Sequence, residues 1–226
     1  DADAQYALAS RYETGAGVKE DAKQAAEWYA KALAEYRKAA DQDDAYAQLN
    51  LCTMIGTGQG IEQDATVAAE WCRKSAEQGN DEAQYQLGVM YDEGRGVKQD
   101  DARAIAWFRK AAEQGNLYAR RDLAGKYDHK DDTQAANWYH QAAEQGDADS
   151  QFSLGMMYEE GRGVKQDNAQ AIAWYRKAAE QGMEDAQKRL AELEAKGDGS
   201  SNQSDGPSSG TESNVEPNSE SKPQRN

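Results

Sequence analysis

A string of residues recurs along this chain about every 36 positions, and this repeat constrains the fold more than any other feature. Between Ala83 and Asn116 it contains Leu-Gly, an aromatic residue four positions after that leucine, Gly-Arg-Gly-Val, and finally Trp-Phe-Arg-Lys-Ala-Ala-Glu-Gln-Gly-Asn. Much of the string returns four more times. Periods of roughly 20 to 50 residues are typical of stacked repeat proteins. The chain is therefore expected to fold as an array of similar units, numbered here repeats 1 to 5.

The tryptophans fix the register of the repeats. All five occupy one repeat position, and the spacings between them are 43, 36, 31 and 36 residues. They are Trp28, Trp71, Trp107, Trp138 and Trp174. A leucine followed by a small residue or cysteine is a second marker in each repeat. Two spacings depart from 36, so two repeats are altered in length.

Each repeat has the pattern of two helices joined by a turn. Ala83, Leu87 and Tyr91 are four residues apart, which places them on one face of a first helix. The glycines of residues 94–97 end that helix, because glycine tolerates positive φ. Asp100 or the aspartate after it then caps a second helix. Alternating β patterns do not occur, so the predicted fold class is all-α.

The recurring pattern resembles the Sel1-like repeat family, a relative of the tetratricopeptide repeat. The family pattern is A-x-x-x-L-G-x-x-Y-x-x-G-x-G-V-x-x-D-x-x-x-A-x-x-W-x-x-K-A-A-x-x-G, and repeats 3 and 5 match it nearly throughout. The resemblance covers residues 3 to about 196. It implies a right-handed α-solenoid that acts as a protein-interaction scaffold. The predicted solenoid, residues 1–196, comprises repeats over 3–43, 44–80, 81–116, 117–147 and 148–183 and a capping helix over 184–196.

Residues 197–226 form a separate segment rich in Gly, Ser, Asn and Pro. Such a composition cannot bury enough apolar surface to fold, so a disordered tail is predicted.

Two repeats differ from the common length. Repeat 1 has seven extra residues within its second helix, which is close to two helical turns and preserves the helical face. One long helix from about Asp21 to Ala40 is predicted. In repeat 4 the gap from Tyr127 to Trp138 is 11 residues rather than 16, so the glycine turn is missing and residues 128–130 remain. This connection should be tighter and should bend the superhelix locally.

The only cysteines lie in repeat 2, one on each predicted helix. Cys52 takes a position held by Gly or Ala in the other repeats, and Cys72 takes a position held by an aromatic residue. A disulfide would suit an exported protein, and the resemblance to a cysteine-rich bacterial subfamily implies one clamp per repeat. Because only this repeat has two cysteines, two packed thiols are favoured. A disulfide between them is the alternative.

Charge narrows the range of partners. The chain has 26 Lys and Arg against 41 Asp and Glu, a formal net charge of −15. Nucleic acid and anionic membranes are therefore unsuitable partners. A basic protein would be attracted, although acidity is also an ordinary means of solubility.

No metal or cofactor is expected. His129 lies near Asp128, Asp131 and Asp132 in the shortened loop, but the spacing matches no established ligand motif. The Gly-x-Gly turns lack the Lys-Ser/Thr ending of a P-loop and follow no strand, so they are interpreted as structural.

Catalysis is not predicted either. The cysteine-rich relatives have been linked to penicillin binding and β-lactam hydrolysis, but Ser-x-x-Lys, Ser-Asp-Asn and Lys-Thr-Gly are all missing here. The leading hypothesis is a monomeric, non-enzymatic adaptor that binds a peptide or protein on its concave face. The alternatives are an exported protein that binds or hydrolyses cell-wall or β-lactam ligands, and a periplasmic regulator or inhibitor.

The compartment is expected to be extracytoplasmic, with the cytoplasm as the alternative. Bacterial members of the family often carry export signals, and a chain that begins at Asp1 suits a processed mature form or an engineered start. No apolar run reaches membrane-spanning length.

In tetratricopeptide-like arrays the first helices line the concave side, which gives candidate binding residues. Positions three and seven after Ala83, and their equivalents, are predicted to point away from the partner helix. Methionine suits such a surface because it is adaptable, although packing against the next repeat is an equal alternative for it. The predicted binding residues are Arg11, Asn50, Met54, Gln86, Met90, Asp122, Lys126, Ser153 and Met157.

Overall fold

A computed structural model describes residues 1–201, with side chains described as far as Ala195. Residues 202–226, which make up most of the predicted disordered tail, lie outside the described residues.

Within residues 1–201 the chain folds into eleven helices. They are α1 (Ala2–Thr14), α2 (Ala22–Ala40), α3 (Ala45–Thr57), α4 (Ala65–Glu77), α5 (Asp81–Glu93), α6 (Asp101–Glu113), α7 (Leu117–Tyr127), α8 (Asp132–Glu144), α9 (Ala148–Glu160), α10 (Asn168–Glu180) and α11 (Glu184–Ser201). Each helix packs mainly on its neighbours in the chain. The prediction of an all-α array of helix pairs with a final helix is confirmed, and α11 runs beyond the predicted end at Lys196.

Helix starts are fixed by capping side chains. A side-chain oxygen of Asp100 accepts the backbone N–H of Arg103 at 3.0 Å, so Asp100 is the cap of α6. Such a cap satisfies a backbone donor that has no partner within the helix. Each of the other second helices also begins after an aspartate. These caps are Asp21, Asp64, Asp131 and Asp167.

The two altered repeats have the predicted lengths. Helix α2 has 19 residues and begins directly after Asp21, as the seven-residue insertion predicts. In repeat 4 the connection consists of residues 128–131 alone, and His129 adopts a positive φ of 60° there. The tighter connection is confirmed, and the local bend of the superhelix stays a prediction.

A small residue of the first helix faces an aromatic ring of the second. A Cβ added to Gly88 would lie 2.6 Å from a ring carbon of Phe108. In repeat 5 the corresponding distance from Gly155 to the Tyr175 ring is 2.7 Å. Glycine is therefore required at these positions for the ring to lie directly on the helix backbone.

Buried glutamines link successive repeats. The Gln84 amide donates to the Ala76 carbonyl oxygen at 3.1 Å and its own oxygen accepts from the Gln114 amide at 2.8 Å. Gln48 and Gln151 make the same two kinds of contact in their repeats. The side chains give a second donor to carbonyl groups at helix ends, each of which also accepts a backbone N–H from the following turn.

Candidate functional site

The first helices share one partly exposed face. On α5 its residues are Glu82, Tyr85, Gln86 and Val89, whose spacing of three, four and seven places them on one side of the helix. The equivalent residues of α3 are Tyr46, Leu49, Asn50 and Thr53, those of α7 are Tyr118, Arg121, Asp122 and Gly125, and those of α9 are Asp149, Phe152, Ser153 and Met156. We call these sixteen positions of α3, α5, α7 and α9 the first-helix face.

The structure brings four of the predicted binding residues together on this face. They are Asn50, Gln86, Asp122 and Ser153, and all four are partly exposed. Arg11 is exposed on the first helix of the array. The Lys126 side chain is already held in ion pairs within the chain. Its ammonium group binds the Asp92 carboxylate and lies 3.0 Å from an Asp101 oxygen.

The structure corrects the expectation for the three methionines. Met54, Met90 and Met157 are 0%, 4% and 0% exposed, so they do not form the exposed binding surface that was predicted for them. At about 100° per residue, seven residues advance a helix to within roughly 20° of two full turns. Met90 therefore lies beside buried Ala83 instead of opposite it. Packing within the array, the alternative considered for these residues, is what the structure shows.

The expectation of two free, packed thiols is also corrected, because the two cysteines are joined. Cys52 and Cys72 form a disulfide with their Cα atoms 5.1 Å apart. The pairing follows from the repeat, since these positions correspond to Gly88 and Phe108, which face each other across the helix pair of repeat 3. The side-chain oxygen of Gln86 lies 3.6 Å from the Cys52 sulfur and 3.7 Å from the Cys72 sulfur.

A pocket with a volume of about 330 Å³ opens beside this disulfide, between α3 and α5. Its walls combine apolar atoms with a few polar groups. They include Cys52, Thr53, Glu82, Tyr85, Gln86 and Val89. The pocket thus lies on the first-helix face, between repeats 2 and 3.

Tyrosines are prominent on the same face. Tyr46 and Tyr118 are 55% and 51% exposed and occupy equivalent positions of repeats 2 and 4. The Tyr85 ring stacks on Tyr118 with centroids 5.8 Å apart, and its hydroxyl donates to an Asp122 oxygen at 3.1 Å. Burial, reinforced by the Asp122 charge and hydrogen bond, raises the pKa of Tyr85 to about 12. Burial also raises the pKa of the Asp122 carboxyl.

Four residues of this face were not among the predicted binding residues: Tyr46, Glu82, Tyr118 and Val89. They were missed because the outward direction was assigned to positions three and seven after Ala83 rather than to the stripe through Glu82. The signal was present in the spacing of Glu82, Tyr85, Gln86 and Val89 at 0, 3, 4 and 7.

The shortened loop of repeat 4 collects carboxylates around a guanidinium group. Ligand atoms of Asp128, His129 and Asp132 lie within 4.8 Å of one another. An Arg162 nitrogen lies 2.7 Å from an Asp128 oxygen and 3.3 Å from an Asp132 oxygen. These ion pairs connect repeats 4 and 5, so the chain itself supplies the positive charge that this cluster binds.

Comparison with known proteins identifies the class to which this array belongs. The Sel1 repeat model matches residues 2–35, 45–80, 81–116, 123–147 and 148–183. The chain therefore belongs to the Sel1 repeat family, whose members are in general protein–protein interaction scaffolds. No curated protein matches the chain.

Among solved structures, the chain is similar to c5321 of uropathogenic Escherichia coli, a protective antigen with the same type of repeat. The two are 38% identical with a TM-score of 0.74 over 87% of this chain and 42% of the other. This chain thus spans less than half the length of that protein. A Sel1 repeat protein of Oxalobacter formigenes is 34% identical with a TM-score of 0.64, over 84% of this chain and 75% of the other.

Proposed function

We propose that this chain is a non-enzymatic adaptor that binds a peptide segment or protein along the first-helix face. One observation carries the proposal: Tyr46 and Tyr118, the exposed large hydrophobic residues of the described part, both lie on this face. Tyrosine is enriched at protein interfaces and at their energetic hot spots. A monomeric array would leave the whole face open to the partner.

The charge of the face supports a basic partner. Glu82, Asp122 and Asp149 lie on it, and the whole chain has a net charge of −15. Complementary charge accelerates encounter and excludes acidic competitors. Of these carboxylates, Asp122 and Asp149 approach Arg121 within 3.6 Å and 3.5 Å.

The disulfide supports an extracytoplasmic location. Disulfides persist in oxidising compartments and are rare in a reducing cytosol, so the Cys52–Cys72 bridge is compatible with export. None of the helices in residues 1–201 combines the length and apolar character needed to cross a bilayer.

The proposal is tested by selecting displayed random peptides on the purified protein and measuring their affinities by calorimetry. The double variant Tyr46→Ser/Tyr118→Ser should weaken the selected peptides by at least about tenfold, since each tyrosine contributes about 1 kcal/mol or more at a hot spot. The control variant Glu70→Ser/Glu180→Ser changes two exposed residues of second helices and should bind normally. If the control weakens binding and the tyrosine variant does not, the proposed face is incorrect.

A further inference from the structure

Repeat 2, whose disulfide borders the pocket, lacks the pair of aromatic rings that other repeats have. In three other repeats, an aromatic residue of the first helix packs on an aromatic residue of the second. The pairs are Tyr6–Tyr29, Tyr85–Phe108 and Phe152–Tyr175, with ring centroids 5.4, 5.8 and 5.4 Å apart. Repeat 2 has Leu49 and Cys72 at these two positions. The bridge to Cys52 replaces the ring, and the pocket opens where Cys52 meets repeat 3.

The size and walls of the pocket suit one large side chain. A volume of about 330 Å³ is near the lower end of the range for small-molecule sites, which is roughly 300 to 1,000 Å³. The disulfide, the methyl groups of Thr53 and Val89, and Tyr85 supply apolar and aromatic contacts. Sulfur atoms and ring edges pack favourably against aromatic rings.

The charge at the pocket is uncompensated. The carboxylate oxygens of Glu82 accept only neutral donors within residues 1–195, the Gln86 amide and the Asn116 amide, each at 3.3 Å. No Lys or Arg in that part of the chain forms an ion pair with Glu82, whereas Arg95, also at the pocket, is paired with Glu93 at 2.7 Å. A cation supplied from outside would therefore be favoured beside Glu82.

We propose that the pocket receives an aromatic side chain of a protein partner, with a lysine or arginine next to it in the partner sequence. The inference rests on the proposed function, because a peptide that crosses the first-helix face passes the pocket between Tyr46 on α3 and Tyr118 on α7. The neighbouring cation lies against Glu82.

The test is a titration of the ¹⁵N-labelled protein with the N-acetylated dipeptide amide Trp-Lys, followed by NMR. Saturable shifts are expected at the backbone amides of Thr53, Gln86 and Val89. The matching Ala-Lys dipeptide should bind at least about tenfold more weakly, because the buried ring is lost. The Trp-Glu dipeptide should bind about threefold more weakly, and Glu82→Gln should remove this difference.

Two variants fill the pocket from within. Cys52→Gly/Cys72→Phe installs the Gly–Phe pair of repeat 3, and Val89→Phe keeps the disulfide, so one remains informative if the other does not fold. Both should abolish the shifts. The control Val18→Phe alters a partly exposed valine of repeat 1 and should leave the shifts unchanged.

The pocket assignment is overturned by an absence of shifts, by shifts centred away from these residues, or by binding that survives Val89→Phe. If selected peptides still depend on Tyr46 and Tyr118 while Trp-Lys does not bind, the pocket assignment is wrong and the proposed function stands. Loss of all peptide selection on the first-helix face would instead overturn the proposed function.

Discussion

Gly96 packs directly on the backbone of Ala65, so closely that a Cβ on Gly96 would lie 1.9 Å from the Ala65 carbonyl oxygen. The glycine turn of repeat 3 thus rests on the start of α4 in the preceding repeat. Gly163 makes the same contact with Asp132, at 2.0 Å. Repeat 4 lacks the turn, and there Lys126 binds Asp101 at the start of α6 instead. The Gly-x-Gly-Val motif is therefore a contact between repeats as well as a turn.

Gly96→Ala should lower the free energy of unfolding by about 3 kcal/mol. The left-handed φ of 67° costs alanine about 1 to 2 kcal/mol, and the overpacking against Ala65 adds about 1 to 3 kcal/mol. Urea denaturation followed by circular dichroism would measure the change. Gly17→Ala is a matched control, since Gly17 has a φ of 78° and no atom within 4 Å of the added Cβ. Equal losses in both variants would show that the contact with Ala65 contributes nothing.

The disulfide should stabilise repeat 2 through the loop that it closes. Cys52→Ala/Cys72→Ala should lose about 3 kcal/mol of unfolding free energy, the value for a loop near the observed sequence separation of 20. Cys52→Gly/Cys72→Phe should recover part of this loss because it buries a ring. Reductant should destabilise the natural chain and leave both variants unaffected. A natural chain that is indifferent to reductant would contradict this account.

The repeat pattern was sufficient to predict the helix pairs, the long α2 and the tight connection of repeat 4. Each depends on local spacing: seven extra residues in α2 complete almost two turns, and the loss of the glycine turn leaves residues 128–131 alone. Spacing could not settle the cysteines, because the pairing depends on which positions face each other across two helices. That relation became visible only in the contact between Gly88 and Phe108.

The candidate site was predicted in part. Asn50, Gln86 and Asp122 lie on the first-helix face, whereas Met90 is buried although it is adjacent to exposed positions. One residue changes the direction of a helical side chain by about 100°, so a small error in assigning the outward stripe replaced Val89 with Met90. The pocket could not be predicted from spacing, because its walls come from two neighbouring repeats and depend on how α3 and α5 lie side by side.

Gln84→Ala should lower the free energy of unfolding by about 1 to 3 kcal/mol. Gln84 is 5% exposed, and its loss removes two hydrogen bonds and leaves the Ala76 carbonyl without its side-chain donor. The exposed Gln42 provides a control, and Gln42→Ala should change stability by less than about 0.5 kcal/mol. Urea denaturation of the two variants checks the difference, and similar values would exclude a stabilising role for the glutamine contacts.

Tyr85→Phe should make stability less sensitive to alkaline pH. Burial and the neighbouring Asp122 charge raise the pKa of Tyr85 from 10.0 to about 12. Because the unfolded chain then releases this proton first, the contribution of Tyr85 is complete below pH 10 and is lost as the pH rises through about 12. The natural chain should therefore lose stability more steeply than Tyr85→Phe across this interval, as measured by urea denaturation at a series of pH values. Asp122→Asn should shift the tyrosinate absorbance of Tyr85 to lower pH, because the nearby negative charge is removed. Parallel pH profiles for the natural chain and Tyr85→Phe would show that Tyr85 ionises equally in the folded and unfolded states.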